Sequence, residues 1–326
     1  DRPIDRSGRS LALRFAPPLP AKCPAPSPAI SRRPRQLSVS EIEAWNANPY
    51  AIYAKRILRL RPWEPIETPP DARLRGTLIH NAAEAFVRAK QQPNPASGIG
   101  LGNPDTDLAY YMQLIEQEMV RLQLPIDLKA LWKSRIENAG RWFIENDNLR
   151  RLSNLEHVDV EVEGKLKISL PGPVDDAWIT ARADRVEYYP HGGLSIVDYK
   201  TGTPPTNREV FSGNKPQLSL EALIFAQRPI NKQNISIEYW AMGGGSDPGK
   251  VRNIIPPSDF EMTLNEALGD IETQLPALLN QRLNTLTPLG ATAAGWGDYH
   301  HLSRLQEWSK LDNTVREKLT RGADKP

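Results

Sequence analysis

The chain has 326 residues, of which 39% are hydrophobic and 25% charged, and its formal net charge is +2. Such a composition supports one large hydrophobic core or two modest ones, and no apolar run approaches the roughly twenty residues of a spanning helix, which excludes a helical membrane protein. The single cysteine, Cys23, excludes an intramolecular disulfide. A reducing compartment suits this cysteine content, so we expect a cytoplasmic protein.

Positive charge is concentrated in the first part of the chain. Residues 1–90 contain 16 Lys and Arg against 8 Asp and Glu, whereas the remainder contains 25 against 31. Clustered cations neutralise the phosphates of nucleic acids, although arginines on helix faces are more often simply solvated. Both interpretations stay open for the candidate DNA-binding residues, which are Arg56, Arg59, Arg73 and Arg75.

The N-terminal residues differ in composition from the rest. Residues 1–36 contain eight of the 30 prolines, which predicts an extended arm or linker. Folding is expected to begin at Leu37 and the domain to reach residue 310, with a tail at 311–326. Ser40 to Glu43 has the form of a capping box that opens a helix through Trp45, and Pro49 can start the next helix, through Ile57.

Helical patterns dominate the region up to residue 151. Arg75 to Phe86 is predicted to be a helix, in which His80 and Glu84 share one face at i and i+4. A loop rich in Pro, Gly and Asn follows at 91–104. Two further helical stretches, at about 105–123 and 127–151, are predicted to form an insertion lobe over residues 91–151.

Strand patterns follow the insertion. The predicted strands lie near 157–170, 178–189, 194–200 and 234–242, with a bend at Glu163-Gly164-Lys165. A helix opening with Gln217 crosses between the last two strands, and a final helix is predicted at about 258–284. The order indicates the α/β class, with a mixed sheet flanked by helices.

Residues 244–251 have the glycine and lysine spacing of a phosphate-binding loop. Val251 stands where such a loop needs Ser or Thr to ligate Mg²⁺, and a strand rather than a helix is expected to follow. The segment is therefore predicted to be a hairpin loop, and no ATP site is expected in this chain.

The stretch from Leu194 to Gly202 carries the most informative chemistry. Strand side chains alternate between faces, so Asp198 and Lys200 should point the same way. Asp184 lies on the preceding predicted strand, and a hairpin turn at 190–193 would bring it near. Two carboxylates and an ammonium are suited to metal-assisted attack on a phosphodiester. Taken alone, the Asp-x-Lys spacing fits a structural ion pair equally well.

The motif order adds a resemblance to a known family. Gly76-x-x-x-His80, then Asp184, then Asp198-x-Lys200, then a helix led by Gln217, resembles the RecB-like branch of the PD-(D/E)XK nuclease superfamily. It is most similar to the C-terminal nuclease domain of AddB-type subunits of bacterial AddAB helicase-nucleases. The resemblance implies a restriction-endonuclease-like fold with a mixed central sheet.

The resemblance also implies roles for individual residues. Mg²⁺ or Mn²⁺ would be bound by His80, Asp184 and Asp198, with the backbone carbonyl of Tyr199 as an added ligand. Lys200 would be the catalytic lysine, and Gln217 would help to order the site. Glu221 stands where many relatives carry tyrosine, so no role is transferred to it.

The activity implied by the resemblance is exonucleolytic cleavage of DNA in double-strand break repair and recombination. The DNA would be a single strand fed by an AddA-type helicase partner. Many relatives also join their termini through a four-cysteine iron-sulfur cluster, which a single cysteine cannot form. We expect aromatic packing to close that junction instead, through Trp45, Tyr50, Trp296 and Tyr299.

Two alternatives remain. In the first, the nuclease-like fold serves as a catalytically silent DNA-binding or subunit-docking scaffold. Against it, three converging charged groups cost desolvation and repulsion that a scaffold has no need to bear. In the second, the chain is a free-standing exonuclease like those associated with CRISPR systems, which the chain length and the missing cysteines disfavour.

Overall fold

A computed structural model of the chain describes residues 23–61, 72–91, 103–169, 176–211, 215–227, 235–254, 299 and 301–304. The helix predicted at 258–284, the tail at 311–326 and Trp296 lie outside these ranges. So do residues 1–22 of the predicted arm. The last residues of that arm contact the fold, because the amide of Trp178 donates to the carbonyl of Arg35 at 2.8 Å.

The described helices are close to those expected from sequence. The two helices of the predicted insertion are present, each within two residues of its expected ends. Short 3-10 turns occur at Ile30–Arg32 and Pro190–Gly192. The helices are α1 (Val39–Ala47), α2 (Pro49–Ile52, continuing into a π-helical turn at Tyr53–Ile57), α3 (Ala72–Gln91), α4 (Pro104–Arg121), α5 (Ile126–Leu152), α6 (Asn207–Phe211) and α7 (Gln217–Phe225).

Six strands form one mixed sheet. They are β1 (Gln36–Ser38), β2 (His157–Ser169), β3 (Asp176–Tyr189), β4 (Gly193–Lys200), β5 (Ile235–Ala241) and β6 (Lys250–Asn253). The order is β1-β3-β4-β5-β6, and β2 pairs along the opposite edge of β3. The β1–β3 and β4–β5 pairs are parallel and the others antiparallel.

Helices cover both faces of the sheet, which confirms the predicted α/β class. On one face, the buried side chains of α1 and α7 pack against those of the sheet. On the other face, α3, α4 and α5 do the same. None of the helices within the described ranges is long and apolar enough to cross a membrane.

Strand β4 lies in the middle of the sheet, between β3 and β5, and is buried on both faces. Leu194 and Ile196 belong to the core beneath α1 and α7. Val197 and Tyr199 belong to the core beneath α3, α4 and α5. A strand buried on both sides is expected to be a near-continuous apolar run, which is how this segment appears in the sequence.

At one cross-strand position, the side chains of β2 and β3 switch from one face of the sheet to the other. In β2, Val160 packs under α3 to α5, whereas Leu166 packs under α1 and α7. The change occurs at Glu161, whose φ of 54° is left-handed, a conformation that costs a non-glycine residue energy. The register is unbroken on either side, so Glu161 lies opposite Asp184 of β3. The bend predicted at Glu163-Gly164-Lys165 is therefore wrong, because β2 runs on through it.

The first helix begins earlier than the sequence pattern predicts. Ser38 caps α1 and Glu41 completes the capping box, with Glu41 N donating to Ser38 Oγ at 3.2 Å. The box predicted at Ser40 to Glu43 is wrong by two residues. Ser38 ends β1 with extended backbone angles, which free its side chain to accept from the first turn.

The aromatic junction is confirmed in part. Tyr50 and Tyr299 belong to one buried cluster, and the Tyr299 hydroxyl donates to the carbonyl of Leu60 at 2.9 Å. Trp45 packs elsewhere, with Leu37 and Ile52. The segment at 244–249 connects β5 to antiparallel β6, which confirms the hairpin loop.

Candidate active site

The candidate site lies at a fork between β3 and β4. These strands pair from Tyr189 and Gly193 to Arg185 and Val197 and then separate. Asp184 and Asp198 are the next residues on the two strands beyond the fork. Strand β1 joins the same edge of β3 only at residues 178–180, so residues 181–184 have no strand partner on that edge among the described residues.

Asp184 joins the fork to α3. Its Oδ2 accepts a hydrogen bond from the amide of Tyr199 at 2.8 Å, and His80 Nδ1 lies 3.4 Å from the same oxygen. Helix α3 comes close here because Gly76 faces Thr201, where a Cβ on residue 76 would lie 3.1 Å from the Thr201 hydroxyl oxygen. The small residue of the Gly-x-x-x-His motif therefore helps to place His80.

Tyr199 contributes its backbone amide to the site, while its side chain belongs to the core. The ring is buried and packs edge-on against Phe143, with centroids 5.8 Å apart. It also meets the ring of His80 edge-on at 5.6 Å. The tyrosine ring thus packs against the imidazole from the side of the core.

Asp198 and Lys200 share a face, as predicted. Lys200 Nζ forms an ion pair with Asp198 Oδ2 at 2.6 Å. Gln217, the first residue of α7, donates from Nε2 to Asp198 Oδ1 at 2.7 Å, and its Oε1 lies 3.5 Å from Lys200 Nζ. The glutamine therefore holds both members of the pair, and the structure brings these three predicted residues together.

Glu221 is a member of the site to which sequence reasoning gave no role. Its Oε1 accepts from Gln217 Nε2 at 3.1 Å, and the residue is fully buried. Its Oε2 has no hydrogen-bond partner among the described residues. The signal was present in the sequence, since positions 217 and 221 are i and i+4 on one helix and therefore adjacent.

The carboxylates of the site repel one another. Burial and the nearby charge of Asp184 raise the pKa of Asp198 to about 6, although Lys200 acts in the opposite direction. Burial and the charge of Asp198 raise the pKa of Glu221 well above its usual range. The charges of the neighbouring acids and burial therefore both favour the protonated forms of Asp198 and Glu221.

The carboxylates of the site also raise the pKa values of its two basic groups, His80 and Lys200. Burial lowers the pKa of His80, but the hydrogen bond and charge of Asp184 outweigh it, so the pKa of His80 is raised. Burial likewise acts to lower the pKa of Lys200, and the charge of Asp198 outweighs it, so that pKa is raised too. Lys200 therefore stays protonated at neutral pH.

The donor set fits a hard divalent cation by its chemistry. Carboxylate oxygens and a neutral imidazole are ligands that Mg²⁺ or Mn²⁺ accepts, and a cation would offset the repulsion between the carboxylates. Across the described part of the chain, no three His, Cys, Asp or Glu side chains already form a metal-binding group. The two oxygens of Asp198 contact Lys200 and Gln217, and each carboxylate oxygen keeps a second lone pair that can bind an ion.

Two further acids near the site pair with arginines. Glu84 forms an ion pair with Arg88 at 2.9 Å, which is the arrangement of a solvated helix acid. Glu161 pairs with Arg182. Burial raises the pKa of Glu161, and the charges of Asp184 and Glu84 raise it further.

The predicted DNA-binding arginines lie at two places. Arg56 donates to the carbonyl of Gln36 at 2.7 Å, beside β1, and Arg59 nearby is exposed. In α3, ahead of His80, Arg73 is exposed and Arg75 is half-buried. Their contact with DNA remains a prediction.

Comparison with known proteins identifies the family to which the sequence is similar. The family model that describes the PD-(D/E)XK nuclease superfamily matches residues 36–316. An uncharacterized protein of Rickettsia conorii is 32% identical over 201 residues, which is 62% of this chain and 23% of that protein. An uncharacterized protein of Rickettsia felis is 30% identical over 233 residues, 72% of this chain and 26% of that protein.

The chain thus spans about a quarter of the length of these curated relatives. Among solved structures, the crystal structure of SSO0001 shares 17% identity at a TM-score of 0.25, covering 61% of this chain and 74% of that one. The family match covers most of the chain, including every residue of the fork. The chain therefore belongs to the PD-(D/E)XK nuclease superfamily.

Proposed function

We propose that this domain is a metal-dependent DNA nuclease that hydrolyses phosphodiester bonds. The observation that carries the proposal is the fork, where Asp184 and Asp198 follow the last paired residues of β3 and β4. Lys200 stands beside them, paired with Asp198, and 31% of its side chain is exposed. Superfamily membership supports the same reaction class.

The residues that would hold Mg²⁺ or Mn²⁺ are His80, Asp184 and Asp198, and the carbonyl of Tyr199 is proposed as a further ligand. When bound, the ion lowers the pKa of a water ligand and polarises a phosphoryl oxygen. No further cofactor is proposed.

The protein groups then have distinct tasks. The protonated Lys200 stabilises the negative charge that develops on the phosphoryl oxygens as water attacks phosphorus and the bond to the leaving oxygen breaks. Gln217 keeps the Asp198 carboxylate and the Lys200 ammonium in a fixed relation through its two contacts. His80 is held by Asp184 and by the ring of Tyr199.

We further propose an AddB-type role in double-strand break processing. The support is the motif order, from His80 through Asp184 and Asp198 to Gln217. In this role the domain degrades a single DNA strand exonucleolytically in the cytoplasm, beside an AddA-type helicase subunit. Binding of such a strand relies on backbone charge and base stacking, with little reading of sequence.

Cleavage of end-labelled single-stranded DNA with Mg²⁺ or Mn²⁺ tests the proposal. The parent chain should cleave, and Asp198→Asn should lose at least about 100-fold in rate, as expected for loss of a metal-binding catalytic group. Asp159→Asn is the matched control and should cleave like the parent, because Asp159 lies on β2 outside the site and pairs there with His157. Equal cleavage by parent and Asp198→Asn, or no cleavage by either with a helicase partner present, would favour the scaffold.

A further inference from the structure

The gap in the edge of β3 opens onto a groove of about 950 Å³. At one end the groove is bounded by the start of α1 and by Gln36 of β1. At the other end it is bounded by Gln217 and Glu221, which belong to the candidate site. Single-ligand pockets occupy about 300–1,000 Å³, so this space is large enough for a short segment of polymer.

The groove runs along β3. Trp178, Thr180 and Arg182, which alternate with core residues along the strand, line the groove together with Ala181 from the core face. The same strand continues to Asp184. Six residues separate Trp178 from Asp184, which is about 20 Å along an extended strand. The row therefore leads from the candidate site to a half-buried tryptophan.

Strand β2 places a cation over one face of the tryptophan ring. Lys165 lies opposite Thr180 in the register, and its Nζ is 5.0 Å from the centroid of the Trp178 ring. At the β1 end, Arg56 donates to the carbonyl of Gln36, and 37% of its side chain is exposed. One aromatic ring, that of Trp178, and two cations, Lys165 and Arg182, thus line a groove that also includes Gln217 and Glu221 of the candidate site.

We infer that this groove binds a single-stranded polynucleotide, with one base stacked on the face of the Trp178 ring away from Lys165 and the flanking phosphates near Lys165 and Arg182. A stacking platform requires an unpaired base, because a base inside a duplex already stacks on both faces. The inference rests on the proposed function, since the groove would guide the strand to the scissile position. Stacking does not distinguish DNA from RNA, so both single strands share the chemistry.

The balance of charges in the groove indicates that base stacking contributes more to binding than phosphate contacts do. Two cations, Lys165 and Arg182, face two acids of the same groove, Glu163 and Glu221, and Arg182 also pairs with Glu161. Two phosphate contacts would give a salt dependence no steeper than a slope of about −1.5 in log K against log salt for a single strand. Strong salt dependence would point to a different, more basic surface.

Fluorescence anisotropy of labelled oligothymidylate in EDTA tests the inference without chemistry. Trp178→Ala should weaken binding about 5- to 150-fold, the range for loss of one base–aromatic stack, and Trp178→Phe should restore most of it. Lys165→Ala should weaken binding about 2- to 5-fold. Lys133→Ala is the matched control, because Lys133 is an exposed lysine on α5 and does not line the groove.

Oligouridylate and a thymidylate–adenylate duplex complete the set of probes. Binding of both single strands above the duplex supports the inference, and preference for one of them identifies the sugar. Equal affinity of parent and Trp178→Ala, tighter binding of the duplex, or no binding by the parent would overturn it. EDTA prevents metal-dependent cleavage, so the anisotropy assay measures strand binding by the groove alone. Failure of the proposed nuclease activity is measured separately, in the cleavage assay.

Discussion

Asp184 accepts a hydrogen bond from the backbone amide of Tyr199 at 2.8 Å, across the point where their two strands part. The same carboxylate oxygen faces His80 of α3. One side chain thus connects β3, β4 and a helix from the other side of the sheet. A carboxylate that organises the fork also stands where the proposed metal chemistry needs it.

Gln217 is expected to act through the groups that it holds. Gln217→Ala removes the contacts to Asp198 and Lys200, and should lower the cleavage rate about 10- to 100-fold, as loss of an outer hydrogen-bond partner does at metal sites. The folded state should persist, and raised Mn²⁺ should recover part of the activity. Gln227→Ala, exposed just beyond α7, is the control. An unchanged rate in Gln217→Ala would show that the orientation of Asp198 is set elsewhere.

Glu221→Gln is predicted to stabilise the metal-free protein at neutral pH. A carboxyl whose folded pKa is raised contributes most below its unfolded pKa and loses stability as pH rises through the folded pKa. The melting temperature in EDTA should therefore rise by about 2–4 °C at pH 8 and by less at about pH 5. Glu145→Gln on the exposed face of α5 serves as control. A variant that melts below the parent at pH 8 would contradict the assignment.

Acid should destabilise the fold through Asp147. Its carboxylate accepts from Arg185 and Arg151, both at 2.8 Å, inside the core. Burial acts to raise the pKa of Asp147, but the two guanidinium groups outweigh it and the pKa is lowered. A depressed pKa gives stability that is present above the unfolded value near 3.9 and lost as pH falls through the folded value.

Asp147→Asn should cost about 3–5 kcal/mol at pH 7, because it leaves Arg185 buried with one carboxylate fewer. Urea unfolding from pH 7 to pH 2.5 measures the difference, which should shrink below about pH 4. Asp159→Asn should leave the unfolding profile close to that of the parent. A difference that stays constant down to pH 2.5 would refute this role for the ion pair.

Substitution of Gly244 tests the packing of the hairpin loop between β5 and β6. Its φ is +65°, and a Cβ there would lie 1.9 Å from the backbone carbonyl oxygen of Arg135, which cannot move away as a side chain can. Gly244→Ala should destabilise by about 2–4 kcal/mol through backbone strain and overlap. Gly245→Ala meets nothing within 4 Å and should be nearly neutral. Equal melting temperatures for the two variants would contradict this packing.

Local patterns were enough to predict most of the fork. The apolar run of β4, the alternation that places Asp198 and Lys200 on one face, and the helix led by Gln217 are all short-range signals. Motif order then related Asp184 and His80 to them across the chain. The structure places His80 beside Asp184 at 3.4 Å and Gln217 between Asp198 and Lys200.

The remaining features depend on contacts between distant segments. The left-handed backbone at Glu161 is imposed by the inversion of two paired strands, and nothing in its neighbouring residues predicts it. The groove exists because β1 docks beside Trp178, which is about 140 residues away in sequence. The burial of Glu221 follows from α7 packing on the sheet, which sequence spacing alone does not establish.

Binding of Mn²⁺ measured by electron paramagnetic resonance tests the central claim most directly, namely that His80, Asp184 and Asp198 serve one divalent cation. The parent and the Asp159→Asn control should bind Mn²⁺ with the same affinity. His80→Ala, Asp184→Asn and Asp198→Asn should each weaken binding at least about tenfold, as loss of one ligand implies. Undiminished Mn²⁺ binding by all three variants, or none by the parent, would contradict the account.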